Sequence, residues 1–414
     1  METNKIIIIG AGAAGIFGAI NIASKNADAE VVVLEKSSKL LSKVKISGGG
    51  RCNVTNVCQE PKELIKNYPR GNKKLKKAFE QFGSKETVQW FESRGVKVKA
   101  EDDGRMFPIT DDSQTIIDCL LNECKKYKVK ILTKVAVEGI TKTENGFSLE
   151  IKGADNLLCD KVVVATGGHN KLESFQWLAD LGHSISEPVP SLFTFNLPDA
   201  DITKLSGVAV PDVEVKIAGT KLSHQGPLLI THWGMSGPAV LKLSAWGARI
   251  LNEKNYEYSV LINWLKNANE EECRQKLTTF QTDNPKKMLF NSNPFQIPKR
   301  LWEYLLTKSE IDEELRWNNF SGKKFNKLVN HLIADLYDAS GKTTFKEEFV
   351  TAGGVKLGDV NMQTMESRKC PGLFFAGEVL DIDGVTGGFN FQAAWTTAWL
   401  ASEGISENEK ALQN

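Results

Sequence analysis

Residues Lys5–Lys25 read KIIIIGAGAAGIFGAINIASK, and the turn at their centre, Gly10-Ala11-Gly12-Ala13-Ala14-Gly15, decides the fold. Lys5 to Gly10 is an apolar, β-branched run of strand type, Ala13 to Lys25 has helical texture, and Val31 to Glu35 is a second β-branched run. Strand, glycine turn, helix and strand within about 30 residues make a βαβ unit, whose crossover requires a parallel sheet. Gly10 permits the tight turn, Gly12 leaves the backbone bare where a pyrophosphate would approach, and Gly15 lets helix and strand pack closely. The first turn of the helix offers unpaired N–H donors and a partial positive charge to phosphates. Glu35 closes the second strand twenty residues beyond Gly15. A carboxylate there accepts from ribose hydroxyls and repels a 2′-phosphate, so NADP is disfavoured at this site. The stretch therefore predicts dinucleotide binding.

The rest of the 414 residues leaves room for two or three domains. Hydrophobic content of 41%, charged content of 25% and a net charge of +1 are those of an ordinary globular chain with no global field for nucleic acid or anionic membrane. Charge is uneven locally: between Glu60 and Lys77, seven cations (Lys62, Lys66, Arg70, Lys73, Lys74, Lys76, Lys77) meet only Glu60 and Glu63. Such a run is ordinarily a solvated helix face; the alternative is a patch facing a polyanion. Seven cysteines without a CxxC spacing argue against a disulfide framework or a zinc site, so no metal is expected. METNK runs directly into IIIIG with no signal-peptide core, and no apolar run approaches a membrane span. Cytoplasmic localisation, no membrane and no stable protein partner are the expectations.

Further along, helices are expected at Lys73–Phe82, at Ser84–Arg94 with Ser84 as N-cap, and from Asp111–Ser113 to about Tyr127. Val96–Pro108 reads as a hairpin turning at Glu101–Gly104, and Val129–Leu132 as a strand. Two alternating runs between Lys134 and Asp160 flank Asn145-Gly146, a strong hairpin signal. Val162–Ala165 is a buried strand running into Thr166-Gly167-Gly168. Pro188 and Pro190 mark a change of texture: short strands over Phe193–Ile230, a helix over Ser236–Leu251 with Pro238 in its first turn, and a helical, charged pattern from about Asn269 to Tyr337. Strand texture returns at Phe345–Val355 and Leu373–Gly377, and a helix follows from about Phe389 to Ser402. The fold class is thus α/β: a discontinuous, Rossmann-like nucleotide domain (1–190 and 345–414) interrupted by an insert with a β-rich, barrel-like part (191–265) and a helical part (266–344).

Two further segments bear on the cofactor. The Asn145 hairpin followed by Ala165-Thr166-Gly167-Gly168 resembles the second fingerprint of two-dinucleotide-fold flavoproteins. Leu373–Glu378, Asp381, Asp383 and Gly387-Gly388-Phe389-Asn390 resemble their C-terminal motif, where a helix N-terminus meets the flavin. The acid after the Ala-Gly pair is here Glu378 rather than Asp, so either Glu378 or Asp381 touches the cofactor. KISGGGRCNVTN, Lys45–Asn56, lies just after the Glu35 strand, where such folds cross the pyrophosphate and reach the flavin. Its bare backbone and Arg51 suit phosphate and flavin oxygens. Cys52 is a buried small hydrophobe or, with its pKa lowered beside Arg51, a catalytic proton donor.

These segments together with DDGRMFP (Asp102–Pro108), THWGMSGPAVLKLS (Thr231–Ser244) and TAGGV (Thr351–Val355) resemble the YhiN/BaiN-type flavoproteins, also called HI0933-like or aminoacetone-oxidase-like, across nearly the whole chain. The resemblance implies non-covalent FAD held by Gly10, Gly12, Ala13, Ala14, Gly15, Glu35 and Lys36. The glycine loop adds Lys45, Ser47, Gly48, Gly49, Gly50, Arg51, Cys52 and Asn53. Val135, Ala165, Thr166, Gly167 and Gly168 follow, then Gly377, Glu378, Asp381, Gly387, Gly388, Phe389 and Asn390. It implies an FAD-dependent oxidoreductase that reduces a C=C or C=N bond, with a uridine of large-subunit ribosomal RNA as the leading substrate and a small molecule as the other class. The alternatives are an amine oxidase of the aminoacetone type using O₂ and a flavin-bearing binding or redox-sensing protein. Lys323, Lys324 and Lys327 would join the basic run if an RNA is the substrate. With one GxGxxG present, NAD(P)H docks transiently as electron donor or electrons come from elsewhere. His169 is read as a local hydrogen-bonding residue and Phe389, Trp395 and Trp399 as core; His232 and Trp233 hold a turn or else contact substrate, Gly353 and Gly354 turn the chain or bring backbone to the flavin, and Arg105 sits at a hairpin tip or faces the cleft.

Overall fold

A computed structural model of the chain describes residues 4–343 and 350–413. The chain divides into two compact units, Met1–Pro190 with Lys346–Asn414, and Ser191–Phe345. The strand texture expected from Phe345 and the 344/345 boundary fall outside the described residues, and the described strand is Val350–Val355.

The first unit is built on a five-stranded parallel sheet in the order Leu373–Phe375, Lys161–Val164, Lys5–Ile9 (β1), Glu30–Glu35 (β2), Lys130–Thr133. Residues Ile6, Ile7 and Ile8 of β1 are fully buried, as an all-apolar central strand covered on both faces requires. The chain enters β2 on one side of β1 and the Lys161 strand on the other, so the sheet has its switch point at the carboxyl end of β1, where ligands bind in this class. Helix α1 (Ala13–Lys25) and the C-terminal helix (Phe389–Gln413) pack together, with Gly18 so close that an added Cβ would lie 3.6 Å from that of Ala398. Phe17 on α1 meets Trp90 and Trp395 at centroid separations of 4.6 and 5.2 Å, so the expected core role of Trp395 is what the structure shows.

Local chemistry departs from expectation at two places. The helix Ser84–Glu92 is capped by Gly83, whose N–H donates to Glu86 Oε2 at 2.9 Å; an added Cβ there would lie 2.8 Å from the Phe79 carbonyl oxygen, so no Ser fits at the cap. In the hairpin Val137–Thr143/Gly146–Ile151, Thr143 pairs with Gly146, which makes Glu144-Asn145 the loop. Gly146 is a glycine because the Cys159 carbonyl oxygen would lie 2.2 Å from its Cβ.

The second unit has a seven-stranded antiparallel sheet in the order Asp335–Ser340, Glu257–Asn263, Ala209–Ile217, Ser223–Thr231, Gly234–Ser236, Thr194–Asn196, Lys342–Thr343. The helices Pro238–Glu253, Glu270–Asp283, Lys299–Lys308 and Gly322–Ile333 complete its core. The helical pattern expected to run to Tyr337 stops at Ile333, and Asp335–Ser340 is a strand whose alternate residues are buried.

Candidate active site

The glycine turn sits at the carboxyl end of β1 with its three glycines in unequal circumstances. Gly10 has φ +107°, and a Cβ on it would lie 2.4 Å from the Ala165 carbonyl oxygen; a Cβ on Gly15 would lie 1.8 Å from that of Gly10. The fold itself requires both. Gly12, the N-cap of α1, has φ −83°, which any residue adopts, and a Cβ on it would meet nothing within 4 Å. Neither packing nor backbone conformation in the fold demands glycine at that position. Glu35 stands beside the same turn, its Oε2 accepting from the Ala11 N–H at 3.0 Å and its Oε1 from the Ser37 N–H at 2.8 Å. Val135 N–H donates to the Glu35 carbonyl at 2.9 Å, which ties the next strand's exit to it.

Helix α2 (Ser42–Gly50) breaks at Ser47, and Gly48, Gly49, Gly50 and Cys52 all take positive φ (59°, 70°, 85° and 61°). The glycines are used for their left-handed backbone, and around Gly49 and Gly50 nothing stands within 4 Å of an added Cβ. Arg51 is turned to the Val98–Pro108 hairpin: it pairs with Glu101 at 2.5 Å and lies 4.0 Å over the Phe107 ring. Arg105, from the same DDGRMFP turn, takes the other oxygen of Glu101 at 2.9 Å. Lys45 reaches Gln114 at 3.0 Å. Cys52 is fully buried, and burial pushes its thiol up to about 12, the opposite direction from the lowered pKa that the proton-donor alternative invoked beside Arg51. A thiol this deep holds its proton at neutral pH.

The distal motifs converge on this loop. Asn53, with its amide oriented to satisfy both ends, donates to the Thr55 carbonyl at 2.9 Å and accepts from the Gly388 N–H at 2.8 Å. Asn56 Nδ2 donates to the Gly387 carbonyl at 3.1 Å, and Trp395 Nε1 to the Val54 carbonyl at 3.0 Å. Asn390 is occupied with both backbone groups of Gly384, at 2.8 and 2.9 Å, and holds the turn that leads into the C-terminal helix. Phe389 is 5% exposed and packs edge-on to Tyr68. Gly377 lets the last sheet strand close on α1, since its Cβ would lie 2.8 Å from that of Ala14.

Of the two candidate acids, Glu378 faces the Gly167-Gly168 turn. Its Oε1 accepts from the Thr351 N–H at 2.9 Å, its Oε2 from Lys43 Nζ at 2.6 Å, and a Cβ on Gly168 would lie 2.9 Å from Oε1. Asp381 accepts from Ser186 Oγ at 2.7 Å. Thr351, whose hydroxyl is buried and without a partner among the described residues, stands 2.7 Å from the same Gly168 position. Sequence reasoning noted TAGGV for its glycines, yet Gly353 and Gly354 are demanded by the Glu187 and Val379 carbonyls, at 2.5 and 2.3 Å from an added Cβ. Neither Thr351 nor Lys43 carried a signal, since a buried orphan hydroxyl shows only in three dimensions. His169 bonds Thr166 Oγ1 at 3.2 Å, and burial lowers its pKa below the ordinary histidine value, as does the nearby Lys36. In the second unit Trp233 bonds Thr194 at 3.3 Å. A cleft of about 1350 Å³ there, lined by Lys204, Arg300, Tyr304, Lys308 and Tyr337 among others, carries none of the glycine motifs.

FAD fits these residues: open backbone over Gly12, Gly49, Gly50 and Gly167, a carboxylate at β2, and an unpartnered hydroxyl at the Gly168 end. Among the described residues no helix is long and apolar enough to cross a membrane.

Comparison with known proteins agrees. A family model described as an HI0933-like protein Rossmann domain matches residues 4–404, and the chain belongs to that family. The ribosomal RNA dihydrouridine synthase of Escherichia coli K12 is 33% identical over 98% of both chains. The 3-dehydro-bile acid delta(4,6)-reductase of Clostridium scindens is 30% identical over 98% of this chain and 99% of that one. Among solved structures, the 3-ketosteroid-delta4-(5alpha)-dehydrogenase of Rhodococcus jostii RHA1 superposes with a TM-score of 0.52 at 14% identity over 97% of both chains, a likeness of fold. The chain is an FAD-dependent oxidoreductase.

Proposed function

We propose that this enzyme reduces a carbonyl-conjugated C=C bond, and that its substrate is a uridine of large-subunit ribosomal RNA. What carries the reading is that one reaction class unites full-length relatives with unlike substrates. Saturating the C5–C6 bond of uracil and saturating a steroid dienone both add a hydride to a carbon conjugated with a carbonyl. FAD, when bound, supplies that hydride. The chain's own residues hold and orient it: the first turn of α1 and bare Gly12 take the pyrophosphate, Glu35 the ribose, and Thr351 offers its hydroxyl beside Gly168. The Lys43–Glu378 pair fixes the carboxylate that borders this end. Cys52 is given a packing role, and a reduced nicotinamide dinucleotide that binds transiently returns the electrons.

The test is nucleoside analysis of ribosomal RNA from cells with and without the gene. Loss of dihydrouridine on deletion, restored by the wild-type gene, is the expected result; an unchanged dihydrouridine content overturns the substrate.

A further inference from the structure

The helix Asn72–Gln81 buries Leu75, Ala78 and Phe79 and turns Lys73, Lys74 and Lys77 outward. Nearby, Lys66 is paired with Glu63 at 2.7 Å and Lys76 lies 3.9 Å from Glu80. Among the described residues Lys62, Lys73, Lys74 and Lys77 enter no ion pair. The arrangement runs against helix electrostatics. Lys73 and Lys74 occupy the first turn, where the dipole is positive and no acid is present, and Lys73 and Lys77 are like charges at i, i+4. A local rule broken without a compensating contact marks a surface kept for another purpose.

The helix is also fixed to the cofactor end of its own unit. The guanidinium of Arg70 is bonded through two nitrogens to the fully buried Asp383. Tyr68 OH donates to the Phe389 carbonyl at 2.6 Å, and Val385 N–H to the Asn67 carbonyl at 2.9 Å. Residues 67–71, immediately before the lysine helix, are therefore joined to 383–389, which lead into and include Gly387-Gly388.

We propose that the outer face of Asn72–Gln81, with Lys73, Lys74 and Lys77, docks the phosphodiester backbone of the RNA substrate and so presents a nearby base to the cofactor end. This rests on the RNA reading above. Point cations with no aromatic partner on that face suit phosphates, which give affinity and position without base readout. An anionic membrane is the weaker match, because the apolar residues of the helix are all turned inward. Lys324 and Lys327 of the second unit do not belong to the surface set, being paired with Asp312 and Glu310 at 2.5 Å each.

The experiment uses the full-length, flavin-loaded enzyme and the triple variant K73Q/K74Q/K77Q with a transcript of large-subunit ribosomal RNA. Binding is measured across a salt series and, separately, on phosphatidylglycerol vesicles. Thermal melting and flavin reduction should be unchanged. The plot of log affinity against log salt should flatten by about two units, since each lost phosphate contact removes roughly 0.7–0.9. Affinity at low salt should fall by about tenfold or more. An unchanged slope overturns the surface, as does a variant that loses vesicle binding alone. The substrate reading is judged apart from this. Wild-type enzyme that restores dihydrouridine in deleted cells while the variant keeps its RNA slope removes only the surface. Wild-type enzyme that fails to restore it removes the substrate.

Discussion

Thr55 Oγ1 donates to Gln392 Oε1 at 2.6 Å across 337 residues of sequence, with both side chains fully buried. The same Gln392 oxygen accepts from Thr87 Oγ1 at 3.0 Å, and its nitrogen donates to Thr396 Oγ1 at 3.0 Å. One amide thus joins the strand after the glycine loop, the Ser84–Glu92 helix and the C-terminal helix. Replacing it strands buried hydroxyls, each costing about 1–3 kcal/mol. Gln392→Leu is expected to lower unfolding free energy by roughly 2–4 kcal/mol in urea titration and to weaken flavin retention. A loss within about 0.5 kcal/mol, the range of an ordinary surface change, would contradict the joint.

Gly12 and Gly15 should respond differently to the same substitution. Nothing lies within 4 Å of a Cβ at Gly12, so Gly12→Val should fold, emerge colourless and melt near the temperature of flavin-stripped wild type. Gly15→Val meets the Gly10 carbonyl and should fail to fold. A Gly12→Val protein that keeps its yellow colour would remove the pyrophosphate from this turn.

The difference between these glycines shows what was legible in the sequence. GAGAAG with Glu35 declared the βαβ unit because strand, turn and helix are neighbours in the chain. The C-terminal FAD motif was legible as a resemblance, but its seat on the Asn53–Asn56 segment was not, since no local periodicity records a contact between remote loops. Arg51 was legible as a cation beside bare backbone, but its contacts with Glu101 and Phe107, some fifty residues away, were not. Asn145-Gly146 gave the hairpin but misplaced its tip, because the glycine answers to the Cys159 carbonyl of a third strand.

The thiols give a chemical check. Burial pushes Cys52, Cys124, Cys159 and Cys273 up to about 12 and Cys119 to about 11, and also raises buried Cys370; Cys58, raised by burial and then by Glu63 and Glu60, is only half-buried. At neutral pH the native enzyme should release one thiol, Cys58, rapidly to a disulfide reagent, and all seven after denaturation. Rapid labelling of Cys52 in the native state would contradict its burial.

Acid sensitivity follows from His224, whose pKa burial, and then Lys242, lower from 6.5 to about 4. The folded state leaves this ring neutral where the unfolded chain protonates it, so its contribution is present above about 6.5 and is lost as pH falls toward about 4. Melting temperature should decline over that window, and His224→Gln should decline less steeply. Equal slopes for the two proteins would remove His224 from the acid response.

The absorbance spectrum of the purified chain, with mass analysis of whatever it releases on denaturation, bears most directly on the claim that GAGAAG, the glycine loop and the GGFN helix enclose one cofactor. The expected result is the two-band visible spectrum of oxidised flavin and a released species with the mass of FAD. A colourless chain that takes up no added FAD would contradict it.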